Sequence, residues 1–415
     1  METVIDRFLS ALKCALLWEK TDWQEDMDDQ EWLALFQMAE QHHVLPMIYE
    51  AVYSCPSAKR ADPQLFLHYR QRTFQLVMMQ TMKTGEFLML YKHLDQAGLR
   101  PLVVKGLVCR NLYPNPDYRM SGDEDMLIGQ GQYDLCHRAM TDFGMTPAEP
   151  DQDREQAYEV PYVKKDSPLY IELHKQLFPP ESDAYGDFNG LFVGAEDRAI
   201  ELKINGTTIR TMGHTDHLFY LICHAFKHFL HSGFGIRQVC DIILYANQFG
   251  ADVDWTDMLE RCRKINGELF AAAIFKIGEK YLTFDKERAF YPDEWRELAV
   301  DENPLLMDLV DSGVYGGASM SRKHSSGITL NAVAARKKGH KNAGAVIKTI
   351  FPSVKNLEGR FAYLKKYPWL LPVAWISRLL KYGRETKRLS DNHAAGAVQI
   401  GSRRVELLKI YKIIE

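Results

Sequence analysis

Between residues 96 and 175 the helical periodicity that governs the chain on either side breaks into three short, apolar, β-branched runs. These are PLVVKG, DEDMLI and LYIELHKQLF, interleaved with LVCRNLYP, the turn-rich NPDYRMSG and the helix-like QYDLCHRAMTDFG. Short apolar runs bounded by turn residues specify strands, whereas recurrence at three and four specifies helices. Strand, helix, strand, helix, strand is an order that builds a small sheet with helices on one side. The flanks obey the helical period. WLALFQMAEQHHVLPMIYEAVY and FQLVMMQTMKTGEFLMLYKHLDQAG come before, with Gly98 as a helix stop. LFYLICHAFKHFLHSG, GIRQVCDIILYANQFG, DWTDMLERCRKIN and GELFAAAIFKIGEKYL come after. The expected fold is α+β, a small mixed sheet with helices embedded between largely α-helical N- and C-terminal regions.

The expected boundaries follow these changes of pattern. Residues 1–95 form a helical region, 96–210 the sheet-bearing domain and 211–312 a helical domain. Residues 313–344, rich in Gly, Ser, Lys and His, read as a linker or mobile loop. Residues 345–415 read as a basic helical region around a Tyr-Pro-Trp turn.

At 415 residues the chain is too long for one typical core, and 46% hydrophobic with 26% charged residues is the balance of a soluble globular protein. METVIDRFLSALKCALLWEK lacks the basic and then apolar build of a secretory leader. The longest apolar stretch, Trp369 to Leu380, is cut by Pro372 and carries Arg378, so no transmembrane segment is expected. Seven scattered cysteines without a C-x-x-C pair fit reduced thiols. The expected location is cytoplasmic or membrane-peripheral. The net charge of −4 hides an asymmetry: residues 336–415 carry a balance of +13, leaving −17 for the rest. A basic tail attracts nucleic acid, anionic headgroups or an acidic protein surface, and it also folds back readily onto its own acidic body. Trp369, Trp375, Phe361 and Tyr363 interleave with its basic residues, a pattern shared by packed cores, membrane-surface helices and nucleic-acid grooves.

Within DEDMLI, alternation places Asp123 and Asp125 on one face of a strand about 7 Å apart, with Glu124 on the other face near an exposed strand end. Paired carboxylates repel unless a cation lies between them, and hard oxygen ligands on a rigid strand suit Mg²⁺ with substrate phosphates. Upstream, Lys105 and Gly106 close one strand and open a helix whose backbone N–H groups are placed to receive phosphate oxygens. Downstream, Glu172 in YIELHK is placed to bring a third carboxylate, with Tyr170 and His174 on its face.

VVKGLVCRNLYPNPDYRMSGDEDMLIGQGQYDLCHRAMTDFGM followed by YIELHKQLF resembles the uncharacterised nucleotidyltransferase family of the polymerase-β superfamily. The likeness runs through K-G, Y-P, R-x-x-x-D-x-D and a later acid-x-His, and extends to H-x-x-x-H, G-x-R-x-x-x-D and the FPS…YP…R tail. It implies a nucleotidyltransferase sheet, two Mg²⁺ ions or Mn²⁺ in their place, and a nucleoside triphosphate such as ATP. On that resemblance Asp123 and Asp125 bind both ions, and Glu172 binds the ion that activates the acceptor and helps deprotonate it. Gly106 stands where the superfamily has a Gly-Ser pair whose smallness admits the triphosphate. Leu107 replaces that serine, which puts the hydroxyl contact in doubt and leaves Lys105 to supply a cation.

Lys105, Gly106, Arg119 and Ser121 are the candidate nucleotide contacts, Arg119 having the alternative of a loop arginine paired with Asp117 or solvent. His217, His224, His228 and His231 would line one helix face beside Lys227. Packing, substrate contact and a zinc site are all open to them, and His174, His224, Lys227 and His228 are the candidate substrate contacts. Arg237 and Asp241, one turn apart, are expected to pair within their helix. The expected function is metal-dependent transfer of a nucleoside monophosphate to an acceptor hydroxyl with release of pyrophosphate. The acceptor class stays open among small molecules, glycan or lipid intermediates, peptides and proteins; for nucleic acid, the recognisable RNA-binding modules are absent. The alternatives are an inactive nucleotide-binding regulatory or scaffold protein, and a membrane-surface or RNA-binding protein led by the basic tail.

Overall fold

The runs at residues 102–104, 124–127 and 170–174 do form strands, and the sheet they belong to is larger than expected. The computed structural model describes residues 2–180, 186–312, 320–337, 364, 366–375, 377 and 394–414. Its strands are β1 (Leu102–Val104), β2 (Glu124–Leu127), β3 (Met145–Pro147), β4 (Glu159–Lys164), β5 (Tyr170–His174), β6 (Ile200–Ile204) and β7 (Thr207–Thr211). They form one mixed sheet in the order β3-β4-β5-β2-β1-β7-β6. β1 runs antiparallel to β2 and parallel to β7, and β2 runs parallel to β5. Leu102, Val103 and Val104 are all buried, so this strand is apolar on both faces. β6 and β7 join through Asn205 and Gly206 at φ 46° and 77°, the left-handed pair that a tight hairpin turn needs.

Helices flank the sheet and continue from it on both sides in sequence, as the α+β reading expects. Before it come α1 (Glu2–Leu16), α2 (Asp29–Gln41), α3 (Leu45–Val52) and the 34-residue α4 (Pro63–Gln96). Asp28 and Glu31 cap α2 reciprocally at its N-terminus, an arrangement that contributes about 1 kcal/mol. α4 buries Phe87, Leu90, Tyr91 and Leu94 in its second half, each stabilising by roughly 1.5–3 kcal/mol. The short α5 (Gly106–Arg110) follows β1, and α6 (Tyr133–Asp142) follows β2. After the sheet come α7 (His214–His231), α8 (Ile236–Phe249), α9 (Trp255–Lys264), α10 (Glu268–Tyr281), α11 (Asp293–Arg296) and α12 (Asn303–Ser312). No helix among the described residues is long and apolar enough to cross a membrane.

The expectation of a linker at 313–344 needs correction where it is described. Residues Met320–Lys337 form α13, which packs on α7 and on the last helix, α14 (Ala394–Ile410). Arg322 donates to Ser232 O at 2.6 Å, and Arg404 donates to the carbonyls of Phe229 and His231. These two guanidinium groups satisfy carbonyls that the end of α7 leaves without helical partners. The expectations resting on Phe361, Tyr363 and the basic residues between 338 and 363 and between 378 and 393 lie outside the described residues.

His42, at the C-terminal cap of α2, ties this region together. Its Nδ1 accepts from the Ile236 N–H at 3.3 Å, and its Nε2–H donates to Val310 O at 3.3 Å. Burial holds its pKa down at about 4. The folded value lies below the unfolded one of 6.5, so the unfolded chain takes up the proton first and stability falls as pH drops through this window. Between pH 7 and pH 5 the His42 contribution is expected to decline by about 2 kcal/mol. Urea unfolding at the two pH values should show that extra slope in the wild type and its loss in His42→Gln.

Candidate active site

The parallel register of β2 and β5 sets Asp125 opposite Glu172 and Leu127 opposite His174. Neighbouring strands lie about 4.8 Å apart, and His174, two residues beyond Glu172, shares its face. Asp125, Glu172 and His174 consequently offer three ligand atoms within 4.8 Å of one another. Asp123 sits one residue before β2, outside that cluster but on the wall of the same cavity. That cavity, about 390 Å³, is lined by three carboxylates, Asp123, Asp125 and Glu172, and by three cationic side chains, Lys105, Arg119 and Arg237. Gly106, Tyr170, His224 and His228 also reach it. Ser121 lies on the wall of a neighbouring cavity instead. Lys227 is not on the wall, and burial together with the Lys105 charge lowers its pKa.

Lys105 joins the strand carboxylates to α7. Its Nζ donates to Asp125 Oδ1 at 2.9 Å and lies 3.0 Å from His224 Nε2. Burial opposes its charge, yet the Asp125 carboxylate, reinforced by Tyr220, Asp123 and Glu172, holds its pKa well above the ordinary value. Its backbone is left-handed at φ 52°, a conformation uncommon for a residue with a side chain. His217 supports that turn: its Nε2 accepts the Lys105 N–H at 3.1 Å, and its Nδ1 lies 3.2 Å from Thr211 Oγ1. The Thr211 hydroxyl donates to Val103 O at 2.6 Å, so the imidazole is the neutral Nδ1–H tautomer. Burial keeps it neutral, with a pKa of about 3.

His174 is charged instead. Burial disfavours the proton, but hydrogen bonds to Asp125 and Glu172 outweigh it and raise its pKa to about 9. Its Nε2 lies 3.0 Å from Asp125 Oδ1 and 3.7 Å from Glu172 Oε2. It therefore orients and neutralises the carboxylates. Of the three clustered groups, the two carboxylates have the chemistry of Mg²⁺ ligands. His224 and His228 meet edge to face, 4.3 Å apart by ring centroids, and both are held neutral, mainly by burial. His231 does not line the cavity.

Three expectations need correction. Glu124 lies fully buried, not at an exposed strand end, and forms an ion pair with the equally buried Arg110. Ser121 Oγ donates to Glu124 Oε1 at 3.0 Å and accepts from Arg110 Nη2 at 2.9 Å, while Thr84 Oγ1 accepts from Arg110 Nη1 at 3.2 Å. A Cβ at residue 106 would stand 2.1 Å from Glu124 Oε2, so it is this carboxylate that demands glycine there. Arg119 pairs with neither Asp117 nor solvent. It grips Asp241 with two bonds, at 3.1 and 2.6 Å, and Tyr113 OH donates to the same carboxylate at 2.8 Å. Arg237, expected to pair with Asp241, donates to Met120 O, and its buried Nε has no hydrogen-bond partner.

Sequence reasoning did not find His217 as the support of Lys105, nor Arg237 as a cavity cation. The seven-residue step from His217 to His224 on one helix face was the signal for the first. The second had only the G-x-R-x-x-x-D pattern.

Residues 28–283, more than half of the chain, match the family described as an uncharacterised nucleotidyltransferase. No curated protein and no solved structure matches the chain.

The Arg110–Glu124 pair should behave as a buried ion pair does. Glu124→Leu strands the guanidinium and is expected to lower unfolding free energy by about 3–5 kcal/mol, with Arg110→Met/Glu124→Leu recovering most of it. Denaturant titration of the two variants reads the difference directly.

Proposed function

The chain belongs to that nucleotidyltransferase family, and we propose that it transfers a nucleoside monophosphate from a nucleoside triphosphate to an acceptor hydroxyl. The acceptor oxygen forms a bond to the α-phosphorus as the bond to the β-phosphate oxygen breaks and pyrophosphate leaves. The observation that carries this reading is a single cavity whose wall holds both the carboxylates of Asp123, Asp125 and Glu172 and the cations of Lys105, Arg119 and Arg237.

Asp123, Asp125 and Glu172 would hold two Mg²⁺ ions, or Mn²⁺, which lower the pKa of the attacking hydroxyl and neutralise charge on the leaving group. The Glu172 carboxylate takes the hydroxyl proton. Lys105 Nζ and Arg237 Nε meet the phosphate oxygens, the second being a buried donor without a protein partner. Arg119, fixed by Asp241, adds positive field to that wall without leaving its carboxylate. His174 holds the pair of β-strand carboxylates in place. His224 and His228, both neutral, line the same cavity.

With α-labelled triphosphate and Mg²⁺, Asp123→Asn and Asp125→Asn should each reduce label transfer by about a thousandfold, and chelation should abolish it. Transfer that survives both substitutions would sink the reading. One observation favours a second reading, a nucleotide-binding protein without turnover: Lys105 and His174 both engage Asp125 Oδ1. Saturable triphosphate binding with no pyrophosphate release in an acceptor-containing extract would select it.

A further inference from the structure

A second cavity of about 270 Å³ adjoins the first, sharing His43 and Gly122 with it. Its wall is of another kind. Leu45, Leu76, Met79, Met120 and Pro168 make it apolar, and no Phe, Tyr or Trp offers a stacking face for a nucleobase. Its charged groups are already engaged. Lys83 Nζ donates to Ser121 O at 2.6 Å and Gly122 O at 2.8 Å, and Arg72 Nε pairs with Glu40 at 3.2 Å. Other exposed apolar side chains stand on α4: Met82 and Met78, exposed by 50% and 47%, follow Met79 around the helix, and Phe74, exposed by 66%, lies on the side away from the cavity.

One buried polar group in this wall is left over. Gln80, 1% exposed, accepts the Ser121 N–H on its Oε1 at 2.9 Å, which fixes the amide so that Nε2 is the free end. That NH₂ is buried without a hydrogen-bond partner. A buried donor left unmatched has lost its water without a replacement, so a ligand oxygen placed there is favoured. Ser121 and Gly122 then lead directly to Asp123.

We propose that this cavity binds the acceptor, and that the acceptor is an amphiphile with one flexible aliphatic chain and an uncharged, oxygen-bearing neck. The neck oxygen accepts from Gln80 Nε2, the chain lies along Met79 and Met120 and out over Met78 and Met82, and the reacting hydroxyl points past Gly122 toward Asp123. Thioether side chains repack readily around flexible apolar chains. A peptide segment would bring a donor and an acceptor per residue to a wall whose one buried unmatched group is a donor. This assignment rests on the nucleotidyl-transfer reading, because it supplies that reaction's hydroxyl.

The test is binding of 1-monooctanoylglycerol, below its micellar concentration and without nucleotide or metal, to the full chain labelled with methyl-¹³C methionine. The Met79 and Met120 methyls should shift saturably while the buried Met258 methyl stays still. Gln80→Glu keeps the oxygen for Ser121 N–H and removes the donor, and Met79→Glu charges a half-exposed wall position. Each should weaken binding by roughly tenfold or more. No saturable shift in the wild type overturns the proposal. So does equal or tighter occupancy of the same methyls by N-acetyl-leucinamide, which would give the cavity to a peptide, or displacement of the probe by MgATP, which would give it to the nucleotide. Because the probe is read without triphosphate, its failure leaves label transfer untouched, and failure of label transfer leaves the probe result standing.

Discussion

The back of β2 is held by a carboxylate and a guanidinium that solvent does not reach. Desolvating such a pair costs several kcal/mol per ion, and only close geometry with further hydrogen bonds offsets it. Ser121 and Thr84 provide those bonds, and Gly106 provides the room. The strand's register follows. Slipping β2 by one residue would turn Glu124 toward the cavity and drive Asp125 against Arg110, exchanging every side chain between faces. The front of the strand is defined by what the back cannot give up.

On that front, charge is arranged to be exchanged. Asp123, Asp125 and Glu172 bring three carboxylates together, and Lys105 and His174 answer two of them from within the protein. Like charges at such distances are tolerated only with cations among them. The protein's own cations, Lys105 and His174, sit among these carboxylates and offset their repulsion. His217 matters because it holds the Lys105 backbone while the side chain reaches into the site.

Much of this was legible from the chain. Alternation alone separated Asp125 from Glu124, and a helix-period pattern named α8, α9 and α10. The order of the strands offered Glu172 as a third carboxylate, and the pairing that brings it to Asp125 across 47 residues is a property of the fold. What the pattern missed was which buried side chains choose one another. Nothing near residue 119 points to Asp241, and nothing near Glu124 declares that Arg110 will meet it across a fold. The β6–β7 hairpin was readable: IELKI, Asn-Gly and TTIRT form a strong hairpin signal that went unused. At α13 the Ser, Gly, Lys and His residues resembled a linker by composition, but Ile328, Ala332 and Val333 are buried at helical spacing.

α7 is suspended at both ends. Near its start His217 is bonded to Lys105 and Thr211, and at its end the carbonyls of Phe229, His231 and Ser232 rest on Arg404 and Arg322. Those arginines lie beyond residue 283, where the family match stops. A protein trimmed to the family boundary would retain every residue that lines the two cavities and lose the far abutment of the beam that carries His224 and His228. The unit that is recognisable by descent is thus shorter than the unit that is mechanically complete.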